Sequence, residues 1–183
     1  MDVMTADSSA LVLVDYQAKL MPAIHQAEAV AARAVLLAKA ARLLGAPVIG
    51  TQQNPAGLGA NLNVISAECH RVLAKTHFDA CADGLVEALD ELGQGRGDVV
   101  VAGCEAHVCM MQTALGLMRE GKRVWVVENA SGSRRPADHA AAMRRLAAAG
   151  ATIVTHEMVV FEWLHDCQHP KFREALTLIK AAD

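Results

Sequence analysis

Short apolar runs alternate with longer alanine-rich stretches along this 183-residue chain, and the alternation limits the folds open to it. Runs of β-branched residues without polar alternation are typical of parallel strands that are buried on both faces. The alanine-rich stretches between them are long enough for helices. The pattern therefore predicts an α/β fold with helices on both faces of a parallel sheet. Six strands are expected, at 10–14, 47–51, 72–74, 98–102, 123–127 and 152–155.

Helices are expected between and after these strands, and glycines mark several of their ends. The predicted ranges are 27–44, 84–92, 108–120, 136–149 and 171–180. The first four precede Gly45, Gly93, Gly121 and Gly150, residues that suit the left-handed position that ends many helices. The stretch 52–62 is predicted to be a loop, and its length favours a functional role.

Composition and charge limit the classes of function that are open to the chain. A hydrophobic content of 53% suits one compact domain over residues 1–183. The net charge is −3 and no long run of one sign occurs, so neither a nucleic acid nor a membrane is expected as a partner. A small-molecule substrate is favoured. The N-terminus lacks the pattern of a secretory signal, which predicts a cytoplasmic protein.

Five cysteines occur, an odd number without regular spacing. They form neither a disulfide framework nor a metal-type C-x-x-C pair, so they are interpreted as reduced thiols.

Three reactive side chains come directly after predicted strands, where open α/β sheets bind their ligands. Asp15 ends the first strand, Lys75 follows the third, and Cys109 lies just beyond the fourth. A cysteine at a helix N-terminus is expected to favour the thiolate, and an Asp base with a Lys cation would complete a nucleophilic site. Taken singly, Asp15 also suits a turn, Lys75 a solvated strand end, and Cys109 a small buried hydrophobe.

Around these residues the chain resembles the isochorismatase-like cysteine hydrolase superfamily, in particular its isochorismatase domain-containing subgroup. The matching segments are 13–17, 51–59, 74–76, 103–109, 112–114 and 169–172. The resemblance implies a three-layer α/β/α, Rossmann-like fold with a six-stranded parallel sheet. It also implies an Asp15-Lys75-Cys109 triad, a homo-oligomer, and a cis peptide between Cys104 and Glu105. The backbone N–H groups of Glu105 and Cys109 would form an oxyanion hole.

The activity expected from this resemblance is hydrolysis of a small amide or carbamoyl-type C–N bond through a thioester on Cys109, without cofactor or metal. The nicotinamidase branch carries an Asp-x-His metal site near the second strand, and here that region reads Gln52-Gln53-Asn54-Pro55. Substrate contacts are expected from Tyr16, Gln17, Gln53 and Phe78. His107 and Asn129 are interpreted as structural.

Two other functions stay open from sequence alone. A thiol redox protein would also place a cysteine at a helix start, with Cys104 as the resolving partner of Cys109. A non-catalytic scaffold could retain the fold and assemble through its alanine- and methionine-rich helices.

Overall fold

Six parallel strands form one sheet in the order β3-β2-β1-β4-β5-β6. The structure, a computed structural model, describes residues 3–93 and 95–181. The strands are β1 Ser9–Val14, β2 Val48–Gln53, β3 Arg71–Lys75, β4 Asp98–Gly103, β5 Arg123–Val127 and β6 Thr152–Val154. All five neighbouring pairs are parallel, with Val14 opposite Thr51 on one side and Gly103 on the other.

Helices cover both faces of the sheet. In chain order they are α1 Ala27–Leu44, α2 Pro55–Leu58, α3 Asn63–Ser66, α4 Leu85–Leu92, α5 Met111–Arg119, α6 Pro136–Ala149, α7 His156–Leu164 and α8 Phe172–Lys180. Among the described residues, none of these helices combines the length and apolarity needed to cross a bilayer.

Strand β1 explains why two hydrophobic layers form. All six of its residues are buried, and alternate side chains point to opposite faces of a strand. Leu11 and Leu13 join the core beneath α1, α7 and α8. Val12 and Val14 join the core beneath α4, α5 and α6. The predicted three-layer α/β/α fold and all six strands are therefore confirmed.

The boundaries differ in places from those predicted. Helix α7 was not expected, although Thr155 caps it by accepting a hydrogen bond from Met158 N. The loop expected at 52–62 contains the short helix α2. Gly93 follows α4 with φ 171°, which is extended backbone, so the left-handed conformation expected there is wrong. Gly45, Gly121 and Gly150 do have positive φ values.

The position of the site follows from the faces of the sheet to which the chain turns after β1 and after β4. These strands are neighbours, yet β1 leads to α1 on one face and β4 leads to α5 on the other. Such a reversal opens a crevice at the carboxyl ends of the two strands. Asp15 follows β1 at this crevice, and Cys109 lies in a π-helical turn, Ala106–Met110, that connects β4 to α5.

Candidate active site

The centre of the site is an ion pair that has no solvent contact. Lys75 Nζ lies 2.8 Å from Asp15 Oδ2, and both side chains are 0% exposed. Thr51 Oγ1 donates a hydrogen bond of 2.6 Å to the other carboxylate oxygen, Oδ1. Asp15 has φ 55°, a left-handed conformation unusual for a residue with a side chain. The carboxylate is thus held from two sides in a defined orientation.

Lys75 has further oxygen partners. Its ammonium donates to Gln53 Oε1 at 2.6 Å, and the backbone oxygens of His77 and Phe78 are each 3.3 Å away. A buried charge is costly unless it is paired and hydrogen-bonded, and these contacts meet that requirement. The site thus holds a paired cation, shielded from solvent, at the edge strand of the sheet.

Cys109 is the third member of the group that Asp15 and Lys75 form. It is 6% exposed, and its Sγ lies 4.0 Å from Gln53 Oε1. Burial and, after it, the negative charge of Asp15 raise the pKa of the Cys109 thiol to about 12, while Lys75 opposes them. In the resting site these causes act against the thiolate that a helix N-terminus would favour.

Next to the nucleophile, the segment after β4 is held by the segment after β5. The peptide between Cys104 and Glu105 is cis, at the place implied by the resemblance. Ala106 N donates to Gly132 O at 2.7 Å. The Glu105 carboxylate accepts from both N and Nε of Arg134 at 3.0 Å.

A family model described as the isochorismatase domain matches residues 9–158. The chain belongs to the isochorismatase family. Isochorismatase domain-containing protein 2A of Mus musculus is 34% identical over 95% of this chain and 84% of its own length. Isochorismatase domain-containing protein 2 of Homo sapiens is 37% identical over 94% and 83%.

Solved structures of similar fold cover nearly the whole chain. The MAR1 ribonuclease of Caenorhabditis elegans superposes with a TM-score of 0.91 at 31% identity, covering 98% of this chain and 93% of its own. YcaC of Escherichia coli, described as an octameric hydrolase of unknown specificity, has a TM-score of 0.85 at 23% identity over 100% and 98%. The second likeness is one of fold. This chain thus has the hydrolase fold of the isochorismatase family.

The side chains predicted to contact substrate lie in different environments within this isochorismatase-family site. Tyr16 is fully buried and donates to Ala130 O at 2.6 Å. Gln17 is also buried, and its amide bonds to the backbone of Gln53 and to Gly59 O. Both are packed into the protein interior. Gln53 faces Lys75, and Phe78 is 50% exposed, so these two adjoin the triad.

Two threonines at the site were not anticipated from the sequence. Thr51 precedes Gln53 by two residues on β2, so both point to the same face, and this spacing was the available signal. Thr113 lies one helical turn after Cys109. Its hydroxyl donates to Phe78 O at 3.3 Å and accepts from Ala80 N at 3.1 Å. It thereby fastens the segment after Lys75 to the helix that follows the nucleophile.

The remaining polar residues near the triad support neighbouring loops. His107 Nδ1 lies 3.0 Å from Ser133 Oγ. The side chain of Asn129 bonds to both the backbone and the ring of His156, at the start of α7. Both contacts agree with the structural interpretation of His107 and Asn129. Within residues 3–93 and 95–181, no three His, Cys, Asp or Glu side chains are grouped so as to hold a metal ion.

Proposed function

We propose that the protein is a cysteine hydrolase that cleaves the C–N bond of a small amide or carbamoyl-type substrate through a thioester on Cys109. The observation that carries the proposal is the buried Asp15–Lys75 pair beside a buried thiol. A carboxylate, an ammonium and a thiol in one buried group are what a base-activated nucleophile requires. No metal or cofactor is assigned a role.

In the first half of the reaction, Asp15 accepts the thiol proton as Cys109 Sγ attacks the carbonyl carbon. The backbone N–H groups of Glu105 and Cys109 donate to the oxyanion that develops, and fixed amides do this without reorganisation. The tetrahedral intermediate then collapses and the C–N bond breaks. The departing amine receives the proton from Asp15, which leaves a thioester on Cys109.

In the second half, water attacks the thioester and Asp15 accepts a proton from that water. Collapse releases the carboxylic or carbamic acid, and the proton returns to Cys109 Sγ. The ammonium of Lys75, 2.8 Å from Asp15 Oδ2, stabilises the negative charge that passes between Asp15 and Cys109. The raised pKa of the Cys109 thiol is the reason that a base beside it is needed.

Phe78 is proposed as a wall of the substrate site. Its ring is half exposed, while its backbone oxygen is 3.3 Å from Lys75 Nζ. Gln53 offers its amide oxygen 4.0 Å from the nucleophile. We also propose that the protein is cytoplasmic and that it forms a homo-oligomer. The assembly is supported by Val72, a large apolar side chain that is exposed on the edge strand β3. Light scattering coupled to size-exclusion chromatography tests the assembly.

The test of the activity is ammonia release from nicotinamide, ureido acids and carbamoyl amino acids. Wild type is compared with Cys109→Ala and with Cys167→Ala, a matched control that removes an exposed thiol far along the chain. We expect release by wild type and by the control, and none by Cys109→Ala. Full release by Cys109→Ala would overturn the cysteine mechanism. A separate assay follows the length of an RNA oligonucleotide by electrophoresis, and it asks whether the activity named for the Caenorhabditis elegans relative occurs here.

A further inference from the structure

Gln53 connects two members of the triad through one atom. Its Oε1 lies 2.6 Å from Lys75 Nζ and 4.0 Å from Cys109 Sγ. Asp15 is the other side chain that acts on both groups, and it does so as a charged carboxylate. The amide therefore occupies a position from which it can influence both the ammonium and the thiol.

The orientation of this amide is determined by its surroundings. Gln53 Nε2 donates to Thr76 O at 2.7 Å, while Oε1 accepts from Lys75. Turning the amide over would place its NH₂ group against an ammonium and its oxygen against a carbonyl, so two attractions would become two repulsions. The backbone on either side is held as well, because Gln17 pairs with both N and O of Gln53.

The net charge of the site explains why a neutral amide suits position 53. Asp15 and Lys75 cancel, so the site is neutral before the thiol loses its proton. A carboxylate in place of the amide would also bind Lys75, but it would add a negative charge close to Cys109 Sγ. That charge would oppose formation of the thiolate.

We propose that Gln53 is a positioning residue: its neutral amide oxygen holds the Lys75 ammonium toward Cys109 without adding negative charge. This inference rests on the proposed function, since it assumes that Cys109 is the nucleophile. It differs from the expectation of a substrate contact in that both ends of the amide are engaged within the protein. Gln53 acts through Lys75 and Cys109.

The experiment measures the rate at which iodoacetamide alkylates Cys109, followed by mass spectrometry of the Cys109 peptide between pH 7 and pH 10. The titratable and charged groups acting on Cys109 are Asp15 after β1, Lys75 on β3 and Cys104 after β4. Gln53→Glu tests the added charge, and Gln53→Met tests loss of the oxygen at similar length. Gln52→Glu is the matched control, because Gln52 points to the opposite face of β2.

We expect Gln53→Glu to slow alkylation about tenfold at each pH, the equivalent of one pKa unit, and Gln53→Met to slow it about threefold. Gln52→Glu should stay within about twofold of wild type, as expected for a charge directed away from the thiol. A wild-type rate in folded Gln53→Glu would overturn the proposal, and so would a Glu variant faster than the Met variant. If Gln53→Glu does not fold, a wild-type rate in Gln53→Met is sufficient to overturn it.

The assay separates this inference from the proposed function, because alkylation needs no turnover. Ammonia release that persists in Cys109→Ala would remove the proposed function whatever the alkylation rates are. Unchanged alkylation in the Gln53 variants, with turnover lost in Cys109→Ala, would remove only the role of Gln53.

Discussion

Lys75 Nζ lies 2.8 Å from Asp15 Oδ2, although Lys75 ends β3 and Asp15 follows β1, two strands that are not neighbours. Strand β2 runs between β1 and β3, so the lysine reaches across it to the carboxylate. Thr51 and Gln53 are the β2 residues beneath this span, and each hydrogen-bonds one end of the pair. The ion pair therefore depends on three strands of the sheet.

Removing the cation should destabilise the fold more than a typical substitution. Lys75→Met leaves the buried Asp15 carboxylate without its counter-charge, which costs about 3–5 kcal/mol in comparable buried pairs. The free energy of unfolding in urea measures this loss. The double variant Asp15→Asn/Lys75→Met removes both charges and should recover part of it. A Lys75→Met variant as stable as wild type would show that the pair contributes nothing.

The contribution of Thr51 to stability and to activity should come from its hydroxyl group alone. Thr51→Val keeps the shape of the side chain but removes the donor to Asp15 Oδ1, and a hydrogen bond to a charged group is worth about 1.5–3 kcal/mol. We expect a loss of stability in that range and slower ammonia release, because the carboxylate is then free to turn. Thr51→Ser retains the donor and should stay close to wild type in both measurements. Equal losses in the two variants would assign the effect to packing.

The sheet was predictable because its strands are buried on both faces and therefore appear as uninterrupted apolar runs. Three helix ends were predictable because glycine takes the left-handed conformation without a steric penalty. Helix α7 was missed because its nine residues come just after β6 and include the apolar run Met158 to Phe161, without the alanine-rich composition of α1 and α6. A short apolar run of this kind does not distinguish a helix from a strand.

Part of the candidate site could be predicted from positions along the chain. Asp15 follows β1, Lys75 ends β3, and Cys109 lies in the turn between β4 and α5, all places that the order of the elements reveals. The pKa of Cys109 depends on burial and on the distance to Asp15, neither of which can be derived from the chain order. The interior positions of Tyr16 and Gln17 likewise follow from tertiary packing.

Alkaline pH should destabilise the protein through its buried thiols. Burial raises the pKa of Cys109 to about 12 and that of Cys69 to about 11, against about 8.5 in an unfolded chain. A raised folded-state pKa stabilises the protein fully below pH 8.5, and this contribution is lost as pH rises toward the folded value. The melting temperature should therefore fall above about pH 8.5.

Thermal melts between pH 7.5 and pH 10 measure this slope. Cys109→Ala removes one of the contributing thiols and should flatten it, whereas Cys167→Ala, which removes an exposed thiol, should leave it as in wild type. A slope that is the same in all three proteins would exclude Cys109 as a contributor.

Gly116 should resist replacement although it lies in the middle of α5. Alanine normally stabilises a helix by about 0.5–1 kcal/mol relative to glycine, but a Cβ here would stand 2.3 Å from Asp79 Oδ1. Asp79 cannot turn away easily, since it bonds Arg119 Nη2 at 2.5 Å and Cys81 N at 2.9 Å. Overpacking of this kind costs about 1–3 kcal/mol, so Gly116→Ala should be destabilising in urea unfolding.

Gly97→Ala is the control for this prediction. A Cβ at Gly97 would stand in open space, so this substitution should not destabilise the protein. Removing the carboxylate with Asp79→Ala should make Gly116→Ala neutral or stabilising. A Gly116→Ala single variant as stable as wild type in urea would show that the Asp79 segment moves independently of α5.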